Sequence, residues 1–153
     1  MQIDMNRFRA TFYVEAAEHL EHMEAALLQL ENAPQDSELL NSVFRAAHSI
    51  KGASTTFGLD EVGRFTHVCE NLLDRMRNGI IGVNGDVVEV LLASVDVIQG
   101  LIDSAKDDVP PPTNVEAILA NLNRINGTSE SAPTNDAPSN ATESTNGTGM
   151  RKL

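Results

Sequence analysis

The chain has 153 residues and a formal net charge of −11, with 22 acidic against 11 basic side chains. That length holds one domain with a real core and leaves room for a tail, while the charge argues against nucleic acid or an anionic membrane surface as the main partner. No apolar run approaches the ~18–20 residues of a transmembrane helix, and Met1-Gln2-Ile3-Asp4-Met5 lacks the basic start and apolar stretch of a signal peptide, so the chain reads as cytosolic.

Four long helical patterns follow one another, separated by turn chemistry. The first runs from about Met5 to Glu31, with Met5, Phe8, Phe12, Ala16, Leu20, Met23, Leu27 and Leu30 on one stripe. Pro34 in Asn32-Ala33-Pro34 stops it. The second starts near Asp36-Ser37, which offer capping oxygens, and runs toward Thr56. Phe57-Gly58-Leu59-Asp60 then turns the chain, with Asp60 expected to cap a third helix from about Glu61 to Asn78. The glycines of Gly79-Ile80-Ile81-Gly82-Val83-Asn84-Gly85 end that helix. The fourth, about Asp86 to Lys106, buries Val87, Leu91, Val95, Ile98 and Ile102, and a second apolar edge at Val90, Val97 and Leu101 predicts packing on two sides.

Amphipathic helices of this length with short connections predict an all-α fold, an antiparallel four-helix bundle over about residues 5–106. Pro110-Pro111-Pro112 reads as a stiff spacer, and Thr113 is expected to cap a short fifth helix, about 114–125, carrying Val115, Ile118, Leu119, Leu122 and Ile125. Residues 1–126 are thus read as one domain. From residue 127 to 153 the composition turns to Ser, Thr, Asn, Gly, Ala and Pro, the signature of a disordered, flexible linker of a longer protein. Three Asn-x-Ser/Thr matches at Asn126, Asn140 and Asn146 carry no glycosylation in a cytosolic chain. Cys69 is in phase with Val62, Phe65, Leu72 and Met76 and reads as a small core residue.

One histidine stands on the wrong side of its helix. Leu39, Val43, Ala46, Ala47 and Ile50 mark the buried face of the second helix. At ~100° per residue, His48 falls about 130–140° from the centre of that stripe, near solvent. Arg45 and Ser49 share its side, Lys51 lies one turn on, and Gly52 stands at i+4. Residues 39–59 contain no Asp or Glu, which predicts a local electropositive patch suited to an acidic partner or a phosphoryl group. On the third helix, His67 and Glu70 lie three residues apart on one flank. If that flank meets His48, Glu70 would accept a hydrogen bond from one imidazole nitrogen and leave the other free as a nucleophile, with Lys51 placed to screen a phosphoryl charge.

Metal chemistry is disfavoured. The Glu-x-x-His motif of di-iron bundles is absent, since Ala16, His19, Arg45 and Arg64 stand three residues before the four histidines. His19 reads as a partly buried flank residue and His22 as a solvated one. No phosphate-binding glycine loop and no nucleophile elbow is present, so any phosphoryl group must come from another domain or another protein.

Phe44-Arg45-Ala46-Ala47-His48-Ser49-Ile50-Lys51-Gly52, followed by Thr56-Phe57-Gly58, resembles the signature of histidine-containing phosphotransfer (HPt) domains. The similarity is greatest to the N-terminal domain of the CheA family of chemotaxis histidine kinases. Thr66-His67-Val68-Cys69-Glu70-Asn71-Leu72-Leu73-Asp74 also looks like that family, and the resemblance covers about residues 5–125. It implies that His48 is phosphorylated by the kinase's ATP-binding domain and passes the group to an aspartate of a response-regulator receiver domain. It further implies that Glu70 orients the imidazole, that Lys51 and His67 complete a polar network, and that Gly52 leaves room for the partner. The domain itself would bind no cofactor, ATP and magnesium being used by its partners. Alone it would be a substrate domain rather than an enzyme, and a monomer. The competing readings are a helical docking module without phosphorylation, a stand-alone phosphorelay HPt protein, and a metal-binding bundle, which the helical phases of the histidines disfavour.

Overall fold

A computed structural model describes residues 5–127, and the linker read at 127–153 lies outside the described residues except for Gly127. Five helices follow in order: α1 (Met5–Leu30), α2 (Ser37–Thr56), α3 (Asp60–Arg77), α4 (Gly85–Asp107) and α5 (Val115–Asn126). Among the described residues there is no strand. Among the described residues no helix is long and apolar enough to cross a membrane.

Local chemistry sets most of the boundaries. Asp36 Oδ1 accepts from the amides of Glu38 and Leu39 at 3.0 and 3.2 Å and opens α2, a cap worth about 1 kcal/mol. Asn84 does the same for α4 through the Val87 amide at 3.0 Å. The ends of α2 and α3 each need a residue at positive φ. Gly58 and Gly79 supply it, both at 74°, a conformation that strains any residue with a Cβ. Two expected caps are not made. Asp60 is the first residue of α3, where its charge suits the helix dipole, and the cap position is taken by Leu59 without a side-chain bond. Thr113 likewise stands one residue outside the Asn114 cap of α5.

Helix α1 packs against α2 and α4, and α3 against the same two, while the diagonal pairs do not meet. This closed ring of neighbours is the four-helix bundle. Its interior holds Phe12, Ala16, Leu20, Met23, Leu27 and Leu30 of α1, with Val43, Ala47 and Ile50 of α2. Val62, Phe65, Cys69, Leu72 and Met76 of α3 and Leu91, Ile98 and Ile102 of α4 complete it. Burial pushes the Cys69 thiol up to about 12 despite a hydrogen bond with Ser94 that lowers it, so it behaves as a core residue. Two stripe positions depart from expectation. Phe8 is 53% exposed, because α1 has already passed the end of the core there, and Leu40 rather than Leu39 is the buried leucine at the start of α2.

Helix α5 lies outside the ring, against α3 and α4, with Leu122 fully buried beneath it. The proline spacer is packed rather than free. Pro112 sits on Gly100 of α4 so closely that a Cβ built there would come within 2.4 Å of the Pro112 ring. Gly100→Ala therefore displaces the spacer and loosens α5. We expect a net loss of about 1 kcal/mol in denaturant unfolding, since an overpacking cost of 1–3 kcal/mol exceeds the gain in helix propensity. Amide hydrogen exchange should accelerate across residues 115–126 while α1 and α2 keep their protection.

Candidate functional site

Helices α2 and α3 run antiparallel in close contact, joined by the tight turn at Gly58. On the facing shoulder of α2, Asn41, Phe44, His48 and Lys51 recur at helical spacing. On α3 the matching residues are His67, Glu70, Asp74 and Arg77. The register is visible in two cross-helix bonds, Asn41 to Arg77 and His48 to Glu70, where seven residues forward on α2 answer seven back on α3.

Glu70 joins the cluster. Its Oε2 hydrogen-bonds His48 Nδ1 and its Oε1 forms an ion pair with Lys51 Nζ. His67 Nδ1 lies 3.8 Å from Oε1, too far for a hydrogen bond but within reach of the charge. The side chains differ sharply in exposure: 62% for His48 and 9% for Glu70. Glu70 is thus more deeply placed than its flank position on the helix predicts. Desolvation is the largest influence on its carboxyl and pushes its pKa up. The hydrogen bonds and charges of Lys51 and His48 together outweigh this and hold it below the ordinary carboxylate value.

That ionisation dictates the imidazole tautomer. An ionised carboxylate only accepts hydrogen bonds, so the His48 nitrogen facing it must be the protonated one. In the neutral ring Nδ1 therefore carries the proton, and Nε2, on the far edge of an exposed ring, has the lone pair.

The electropositive patch expected from the acid-free stretch of α2 is only partly present. Helix α3 brings Glu70 to Lys51, and the α2 sequence alone does not reveal that pairing. Arg45 makes no ion pair with another described residue and is exposed beside Ser49 and Gly52. A Cβ at Gly52 would meet nothing within 4 Å. Nothing inside the domain needs a glycine there.

Three side chains of this face are not singled out by the sequence. The ring of Phe44 lies nearly parallel to that of His48, with 12° between the planes and 6.1 Å between centroids. The guanidinium of Arg77 lies over Phe44, Cζ 3.8 Å from the ring centroid. Asp74 accepts from Arg77 at 2.8 Å. The signal that could have found two of them is the spacing of Glu70, Asp74 and Arg77 at i, i+4 and i+7, which puts all three on one face of α3. His22, expected to be solvated, is exposed but hydrogen-bonds Ser42 across α1 and α2. Among the described residues no three His, Cys, Asp or Glu side chains converge to hold a metal ion.

A carboxylate thus fixes one nitrogen of a solvent-facing imidazole on the open shoulder of a helical bundle. The family model of the Hpt domain matches residues 7–108, and the chain belongs to that family. Chemotaxis proteins CheA are among its curated relatives. That of Rhizobium meliloti is 43% identical over 105 residues and that of Salmonella typhimurium 42% over 111, covering 69% and 72% of this chain. That of Bacillus subtilis is 33% identical over 142 residues, 93% of this chain. These stretches span 14%, 16% and 21% of the three relatives' own lengths, so the chain corresponds to a small part of each. Among solved structures, the phosphorylated P1 domain of CheA3 in complex with CheY6 from R. sphaeroides matches with a TM-score of 0.71 and 29% identity, covering 79% of this chain and 96% of that one. The solution structure of the histidine phosphotransfer domain of CheA matches at 0.69 and 30%, covering 78% and 91%.

Two measurements test the site as described. Glu70→Ala leaves Lys51 a path to solvent, so the unfolding free energy should fall by only about 1–2 kcal/mol relative to the native chain. The sign of its pH dependence follows from a carboxyl whose folded pKa is depressed. The stability difference between the native chain and Glu70→Gln is complete above the unfolded carboxylate pKa. It fades as pH falls through the lower folded value, which urea unfolding across the acid range would read.

Proposed function

We propose that this domain is the phosphoryl carrier of a chemotaxis histidine kinase, with Nε2 of His48 as the acceptor atom. The observation that supports it most is the Glu70 bond to Nδ1, which leaves a bare Nε2 on a ring with 62% of its surface in solvent. In the first step the Nε2 lone pair forms a bond to the γ-phosphorus of ATP held by a separate kinase domain. The bond to the bridging oxygen breaks, and ADP leaves with that electron pair. The imidazole becomes cationic, and its Nδ1–H remains hydrogen-bonded to the Glu70 carboxylate, which stabilises that charge. In the second step an aspartate oxygen of a receiver domain attacks phosphorus, the N–P bond breaks, and its electrons return to Nε2.

The carrier needs access more than enclosure, because two large partners reach the same atom in turn. Arg45 and Ser49 flank the approach and Gly52 keeps it low. Lys51 neutralises Glu70 in the resting domain, and His67 stands beside that carboxylate. ATP belongs to the kinase domain, and magnesium to that domain and to the receiver. The complex of a CheA P1 domain with CheY6 supports a response regulator as one partner. Full-length CheA relatives, several times longer than the matched stretch, support a kinase domain elsewhere in the same protein.

Incubating the chain with an ATP-loaded CheA kinase domain and magnesium should place one acid-labile, base-stable phosphate on His48. His48→Gln should take none, and stoichiometric label on that variant would sink the reading in favour of another acceptor. Gly52→Ala separates access from stability. It should raise the unfolding free energy by about 0.5–1 kcal/mol through helix propensity, yet slow phosphoryl exchange with both partners.

A further inference from the structure

The carrier chemistry uses one edge of the His48 ring, and the structure also braces one face. A hydrogen bond at Nδ1 restrains the imidazole, but the χ2 torsion of histidine is broad and a single bond tolerates considerable tilt. Phe44, one turn earlier on α2, lies nearly parallel to the imidazole, with 6.1 Å between centroids, and is the neighbour placed to limit that rotation. Phe44 is only half-buried and would not by itself be held rigidly. Arg77 supplies the missing restraint. Its guanidinium lies over the Phe44 ring with Cζ 3.8 Å from the centroid, the geometry of a cation–π contact.

Arg77 is itself fixed at two points. One terminal nitrogen donates to Asp74 Oδ1 at 2.8 Å, and the other reaches Asn41 Oδ1 on α2 at 3.4 Å. The contacts therefore run in series, from Asp74 and Asn41 through Arg77 and Phe44 to His48. An ion pair this exposed contributes little stability, so a purely structural reason for the arrangement is weak. Arg77 is also the last residue of α3, at a helix end where an unanchored side chain would be mobile.

We propose that Arg77 is a positioning residue for phosphoryl transfer, which acts through Phe44 to fix the plane of the His48 imidazole. The Nε2 lone pair lies in that plane, so the plane sets the line of attack on phosphorus. Positional errors of an ångström at a reacting atom cost up to ~100-fold in rate. This inference rests on His48 being the phosphoacceptor.

The test compares the native chain with Arg77→Ala, Phe44→Leu and the double variant, using an ATP-loaded CheA kinase domain as donor. Arg77→Ala should lower kcat for phosphoacceptance about 10-fold with KM unchanged, as expected for a loss of orientation rather than of docking. Phe44→Leu should match it, and the double variant should be no slower than Phe44→Leu alone, because the two act in series. Arg77→Lys should recover part of the rate by keeping a cation over the ring. In NMR spectra of Arg77→Ala, the His48 tautomer should stay as in the native chain while ring-to-ring NOEs with Phe44 weaken. Native kcat and native NOEs in Arg77→Ala would overturn the proposal, as would a raised KM at unchanged kcat, which marks a docking contact. Additive losses in the double variant would overturn it too. A native chain that takes no label at His48 overturns the carrier reading itself, an outcome distinct from all of these.

Discussion

The site depends on one carboxylate placed between two helices. Glu70 is nearly covered, and an anion so covered costs free energy unless both of its oxygens are engaged. Here they are, one by the imidazole of His48 and the other by the ammonium of Lys51. The arrangement restrains three things together. Helix α2 must present a histidine and a lysine three residues apart, α3 must meet it in a single antiparallel register, and the imidazole must turn its Nδ1 edge inward. The outward nitrogen is then left bare by exclusion.

The rest of the bundle holds that register. The glycine turn at Gly58 keeps α2 and α3 adjacent, and the buried pair Ser54 and Gly63 lets the two helices approach closely where they emerge from it. A Cβ on Gly63 would already be in van der Waals contact with Ser54 and Thr55. Further along, Arg77 and Asn41 tie the same pair of helices beyond the histidine. Among the clefts that lie elsewhere are one of about 220 Å³ beside Pro111 and Pro112 and another of about 280 Å³ at the helix ends near Pro34 and Val83. Neither is lined by His48. An open shoulder suits the proposed carrier role, since an enclosed pocket would exclude one partner while serving the other.

Much of this is legible in the chain. The helical phase of His48 alone places it outside the core, because the period and handedness of an α-helix are local properties. The cap at Asp36 and the stops at Gly58 and Gly79 are equally local. Asp60 and Thr113 mislead because several polar residues near a helix start can each cap it, and the choice depends on how the preceding turn enters. Phe8 misleads for another reason. Periodicity continues beyond the point where the partner helices end, so a residue in phase can still have nothing to pack against.

The sequence by itself determined five amphipathic helices, an all-α bundle and an imidazole turned to solvent, since each follows from spacing along a single helix. Only the tertiary structure decided what that imidazole meets. The depth of Glu70, the capture of Lys51 by it, and the stack of Arg77 over Phe44 all depend on the register and separation of α2 against α3. Those are set by the packing of the whole core, a sum over many weak contacts that no single stretch of chain encodes.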